Sequence, residues 1–161
     1  QEIADAADIG TGTLFLYAKT KGELLLLVQN GRYVHALDEG RTALERTSGV
    51  VDGVLALVAP VVECNRTRVD VGRTYLREMA FGDAGEPHHA EALRIVGETE
   101  RTLAELIVTR AGRSEAKAAV LAHVISSVLF LTMASAPTVE TTVADILRDV
   151  RTQVGLILEG R

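Results

Sequence analysis

Four residues near the amino end carry groups that bind phosphate. Thr13 and Tyr17 offer hydroxyls, and Lys19 and Lys21 offer ammonium groups. Together with the free amides at a helix start, these are the groups that hold a nucleic-acid backbone. Between residues 10 and 17 there is no Lys or Arg, so base contact from this stretch falls to groups such as Leu16, an apolar match for a thymine methyl. A second set lies mid-chain: Pro60, Cys64, Arg68, Tyr75, Met79, Phe81, Leu93, Val96, His123, Ser127, Phe130 and Met133. It mixes apolar bulk with a few polar handles, the make-up of a small-molecule cavity between helices, although core packing uses the same residues. Metal and enzyme chemistry find little footing. His88 and His89 are adjacent, so on a helix they point about 100° apart. His35 and Glu39 have i, i+4 spacing but make only two ligands. No P-loop, GxSxG, HExxH or dinucleotide fingerprint occurs. The expectation is therefore no metal, no cofactor and no enzyme.

The elements that would position the first set are short. Ile3, Ala4 and Ala7 share one helical face. Asp8, Ile9 and Gly10 break that pattern, and Asp tolerates the left-handed backbone of a tight turn. A second short helix, residues 10–17, points Leu14 inward, and the small alanines let the two helices cross closely. Two short helices with a buried aliphatic in the turn describe a helix-turn-helix. Thr20-Lys21-Gly22-Glu23 then matches a capping box, with Thr20 capping and Glu23 reaching back. A long helix over 20–46 follows, with a predicted stripe of Leu24, Leu27, Val28, Gly31, Val34 and Leu37.

These residues resemble the TetR (tetracycline-repressor) family of bacterial transcriptional regulators. The resemblance rests on Ile3-Ala4, Ala7, Ile9, Gly12-Thr13-Leu14-Phe15, Tyr17 and Thr20-Lys21-Gly22-Glu23-Leu24-Leu25. It spans about the first 25 residues; the remainder is similar in helical pattern and length only. Asp8, Gly10 and Ala18 depart from the family's usual Gly, Ser and Phe. The family's first helix is missing ahead of Gln1, so the resemblance implies an N-terminally incomplete chain. It also implies phosphate contacts from Thr13, Tyr17 and Lys21, bases facing Thr11, Gly12 and Leu16, and Lys19 within the DNA-binding set. The implied protein is a homodimer on double-stranded operator DNA. A small-molecule effector among the middle helices shifts the long helix and releases it. Activation instead of repression stays open.

Composition sets bounds on this reading. The 161 residues suffice for one sizeable core. Nearly half are apolar and only three are proline, which favours helices. The net charge of −5 excludes a nucleic-acid-coating protein but not a small DNA-reading end on an acidic body. Cys64 is the one cysteine, so no internal disulfide forms, and a reducing cytoplasm fits. Its place on an apolar helix reads as a small hydrophobe more than a redox sensor. Further helices are predicted over 50–68, kinked at Pro60, and 70–81, 87–111, 114–135 and 139–159, giving about eight in all and no strand. The helix over 114–135 is apolar on nearly every side and so should be covered on every side. Its most apolar run, 120–136, is broken by His123, Ser126, Ser127 and Thr132 and falls short of the ~20 residues of a membrane span. The expected architecture is all-α: a partial helix-turn-helix domain over 1–28, then a helical effector-binding and dimerisation domain over 29–161. The last two helices would form a four-helix dimer interface, with Leu121, Ile125, Val128, Val143, Ile146, Val150 and Val154 as candidates. The competing reading is a helical small-molecule-binding or scaffold protein without DNA binding.

Overall fold

A computed structural model describes residues 16–136 and 140–159. Among them lie six α-helices and no strand: α1 (Lys21–Leu44), α2 (Val50–Arg66), α3 (Val69–Phe81), α4 (Pro87–Ala111), α5 (Glu115–Ser135) and α6 (Val143–Glu159). They correspond to the last six helices expected from periodicity. The expected helix-turn-helix pair falls on residues 1–15, outside the described residues, apart from helical Leu16 and Tyr17. The expected boundary between residues 28 and 29 lies inside the continuous helix α1.

Local chemistry sets the helix ends. Thr20 Oγ1 accepts from the Glu23 amide at 3.0 Å, which starts α1. Pro87 occupies the first turn of α4, where its missing N–H costs nothing. Gly112 ends α4 in the left-handed region at φ 62°, as a C-terminal glycine does. At α6, Thr142 and Asp145 form a reciprocal cap: the Asp145 amide donates to Thr142 Oγ1 at 3.1 Å, and the Thr142 amide donates to Asp145 Oδ2 at 3.0 Å. That cap begins α6 at Val143 instead of residue 139. Arg110, in the last turn of α4, donates to Thr47 Oγ1 at 2.8 Å and to the Leu44 carbonyl at 3.0 Å. It thereby satisfies the carboxyl end of α1 with a cation.

Helix α2 supplies the centre of the core. Val54, Leu57, Val58 and Val62 are wholly buried, each worth roughly 1.5–3 kcal/mol relative to exposure. α1 crosses α2 at Gly40, where any Cβ would collide with the Leu57 carbonyl. α4 contributes Leu103, Leu106 and Ile107, α5 Ala118, Ala122 and Ile125, and α6 Ile146, Val150 and Val154. Two expectations change here. The buried face of α1 is Glu23, Leu26, Gln29, Asn30, Tyr33, Ala36, Leu37 and Gly40, while Leu27, Val28 and Gly31 are exposed. The run of leucines from 24 to 27 carries no helical phase, and polar residues on the inner face hide the true one. Helix α5 is not covered on every side: Val120 and Leu131 are each 64 % exposed. Among the described residues it alone is long and apolar enough to cross a membrane, by length and composition only.

Candidate functional site

The segment leading into α1 is seated on the first turn of α4. His88 Nε2 donates to the Tyr17 carbonyl at 2.7 Å. Lys19 Nζ donates to Glu86 Oε1 at 2.8 Å, and that carboxylate holds the Lys19 ammonium above its usual pKa. Glu23 does not reach back to Thr20. Its buried carboxylate accepts from the His88 amide at 3.2 Å and the His89 amide at 3.1 Å. Helix α4 has no side-chain cap of its own from Glu86, so an anion from α1 occupies its positive end. Of the expected DNA-binding residues, Leu16, Tyr17 and Lys21 are exposed, and Lys19 is exposed but committed to Glu86. Thr11, Gly12 and Thr13 lie outside the described residues.

A cavity of about 220 Å³ lies between α1, α2, α3, α4 and α5. Seven of the expected ligand-contacting residues line it: Tyr75, Met79, Val96, His123, Ser127, Phe130 and Met133. Five lie elsewhere. Pro60 and Cys64 sit on α2 beside the face that reaches the cavity, and Val61 lines it instead. Burial pushes the Cys64 thiol up, which keeps it a protonated small hydrophobe. Arg68 is the exposed residue before α3, Leu93 is 48 % exposed, and Phe81 lines a separate surface groove with Arg73 and Arg77. The sequence reading missed Tyr33, Leu76, Ala92, Ile95, Thr99, Glu100, Ser126 and Leu129, which complete the wall. Correct phasing of α1 and α4 would have found Tyr33, Ala92, Ile95 and Thr99, since they follow Leu26 and His89 on the buried faces.

Tyr33 and Tyr75 stack with ring centroids 4.2 Å apart and planes 9° from parallel. Burial raises both phenols well above the usual tyrosine range, so both stay neutral donors. The Tyr33 oxygen accepts from Asn65 Nδ2 at 2.9 Å. The Tyr75 hydroxyl donates to Asn30 Oδ1 at 2.9 Å, and Asn30 Nδ2 donates to the His88 carbonyl at 2.9 Å. The cavity wall is thus joined by one amide to the turn that holds Tyr17 and Glu23. Next to it, His89 is buried and neither ring nitrogen has a partner among the described residues. At the other side of the cavity, His123 Nδ1 donates to Glu100 Oε1 at 3.0 Å.

The expected dimer residues divide. Ile125, Ile146, Val150 and Val154 are at most 1 % exposed within the single chain. They face the chain's own core, where α5 packs on α4 and α6 packs on α2. Leu121, Val128 and Val143 are half-buried. The exposed large apolar residues of these helices are Val120, Val124, Leu131 and Leu156. Among the described residues no three His, Cys, Asp or Glu side chains gather as a metal site requires. No family model matches the chain, and no curated protein or solved structure matches it significantly.

Proposed function

We propose that this chain is a ligand-responsive, DNA-binding transcriptional regulator of the TetR kind, acting as a cytoplasmic homodimeric repressor that a small molecule releases from its operator. One observation carries the reading. The hydrogen-bond chain Tyr75–Asn30–His88 runs from the cavity wall to the turn that grips Tyr17 and Glu23. A ligand that displaces the Tyr33–Tyr75 stack would pull on Asn30, which sits on α1, and so on the segment that enters the DNA-reading end. Release requires the ligand to bind the DNA-free arrangement more tightly, since equal affinity shifts nothing. No enzymatic step is part of this proposal.

The test is a mobility-shift titration of the full-length protein against palindromic duplexes. Tyr17→Ala and Lys21→Ala are expected to weaken binding about equally on all sequences, because phosphate contacts carry little base information. A change in sequence preference at constant affinity would remove their assigned role. Absence of any duplex binding would favour the second reading, a helical ligand-binding or scaffold protein. That reading draws support from the Lys19–Glu86 pair, which occupies one of the few cations near the reading end, and from the net charge of −5.

A further inference from the structure

Around the cavity, the Thr99 and Ser127 hydroxyls and the Glu100 carboxylate offer hydrogen-bond acceptors. Thr99 Oγ1 donates its proton to the Ile95 carbonyl at 3.0 Å, and Ser127 Oγ donates to the His123 carbonyl at 2.9 Å. Each hydroxyl has then spent its donor, and only lone pairs are left for a ligand. The Glu100 carboxylate takes one hydrogen bond from His123, which leaves further lone-pair positions of the ~4 a carboxylate has. No Lys or Arg is among the lining residues described. The His123–Glu100 pair carries a net charge of zero when the imidazole is protonated and negative when it is neutral. The pair therefore never carries a net positive charge.

The remaining wall is apolar and aromatic, with the Tyr33–Tyr75 stack, Phe130 and Met133. Aromatic faces attract cations, and methionine sulfur packs favourably against aromatic rings. Size narrows the class further. An apolar cavity of ~150 Å³ holds benzene, so about 220 Å³ suits one substituted ring with about ten non-hydrogen atoms. Glu100 is 27 % exposed and His123 72 % exposed, so the charged end of such a molecule would keep contact with water at this side.

We infer that the cavity takes a small lipophilic amine, its ring held among the aromatic and thioether side chains and its ammonium head donating to Glu100. The inference rests on the regulator reading for its purpose, but binding can be measured without DNA. Calorimetric titration at neutral pH with phenethylamine, phenethyl alcohol and phenylacetate separates the charge states of one scaffold. The amine is expected to bind roughly fivefold more tightly than the alcohol, the scale of a partly exposed ion pair, and phenylacetate least. Glu100→Gln, nearly the same shape on a partly exposed side chain, should bring the amine to the affinity of the alcohol. Val96→Trp, which fills the cavity, should abolish binding of all three with helical circular dichroism unchanged. Phenylacetate binding as tightly as phenethylamine, no binding of the amine at millimolar concentration, or amine affinity indifferent to both substitutions would overturn the inference. Amine preference without operator binding overturns the regulator reading alone, and operator binding without amine preference overturns this inference alone.

Discussion

Glu23 and Asn30 are buried polar residues that a periodicity argument would place on the outside, yet they join α1 to α4. A carboxylate accepting two amide protons at a helix start is a strong arrangement, because hydrogen bonds to charged groups contribute about 1.5–3 kcal/mol each. Glu23→Ala would leave the His88 and His89 amides unpaired. The expected loss is about 2–4 kcal/mol in chemical denaturation, and a loss below 0.5 kcal/mol, the scale of an ordinary surface change, would deny Glu23 its capping role. Tyr75→Phe removes a single oxygen but orphans Asn30 Oδ1 in the core, at a cost of about 1–3 kcal/mol. In the regulator reading it should also weaken the effect of a cavity ligand on DNA binding more than it weakens the ligand's own affinity. Tyr75, Met79, Phe130 and Met133 were legible as cavity residues because bulky, adaptable side chains on neighbouring helices must meet. Glu100 was not, since a charged residue beside Arg101 reads as a solvated face until α5 brings His123 against it.

At the level of helices, breaks were easier to read than phases. Gly112, Pro87 and the loop over 82–86 mark their own boundaries through backbone chemistry alone. The inward face of α1 was obscured because Leu24 to Leu27 supply apolar groups in every direction while Glu23, Gln29 and Asn30 take the interior. The start of α6 was missed by a turn because the cap uses Asp145 in the role usually given to Glu. That cap supports a pH prediction. Hydrogen bonds from Thr142, and then Arg148, lower the Asp145 pKa from 3.8 to about 2. The unfolded chain takes up its proton first as pH falls, so the cap's contribution is complete above about pH 4 and fades towards pH 2. Asp145→Asn should therefore melt at a lower temperature than the parent at pH 7, with the gap closing as pH falls to about 2. A gap unchanged across that range in thermal melts would mean that the carboxylate charge contributes nothing to the cap.

At the scale of the whole molecule, an exposed apolar surface on α5 bears on assembly. On α5 the buried residues Ala118, Ala122, Ile125, Leu129 and Met133 define one face. Val120, Val124 and Leu131 follow the same helical spacing on the opposite face and are exposed. Leu156, 70 % exposed on α6, lies towards the Val120 end, because Arg113 just ahead of α5 donates to the Leu158 carbonyl. From Val120 to Leu131 the apolar strip extends about 17 Å at 1.5 Å per residue, and an exposed apolar patch of this kind marks a contact surface. A second copy related by a two-fold axis would pair strip with strip and close the interface. In the regulator reading, such a pairing would also set two reading ends a fixed distance apart, as operator half-sites demand. Sedimentation at micromolar concentration is expected to give a dimer. In the regulator reading, Val124→Asp or Leu131→Glu should give a folded monomer that no longer binds operator, because both side chains are exposed. Val150→Asp should instead unfold the chain, since Val150 is wholly buried in its own core. A monomeric parent protein would refute this assembly, and a monomer that co-floats with lipid vesicles would assign the α5 strip to a membrane surface.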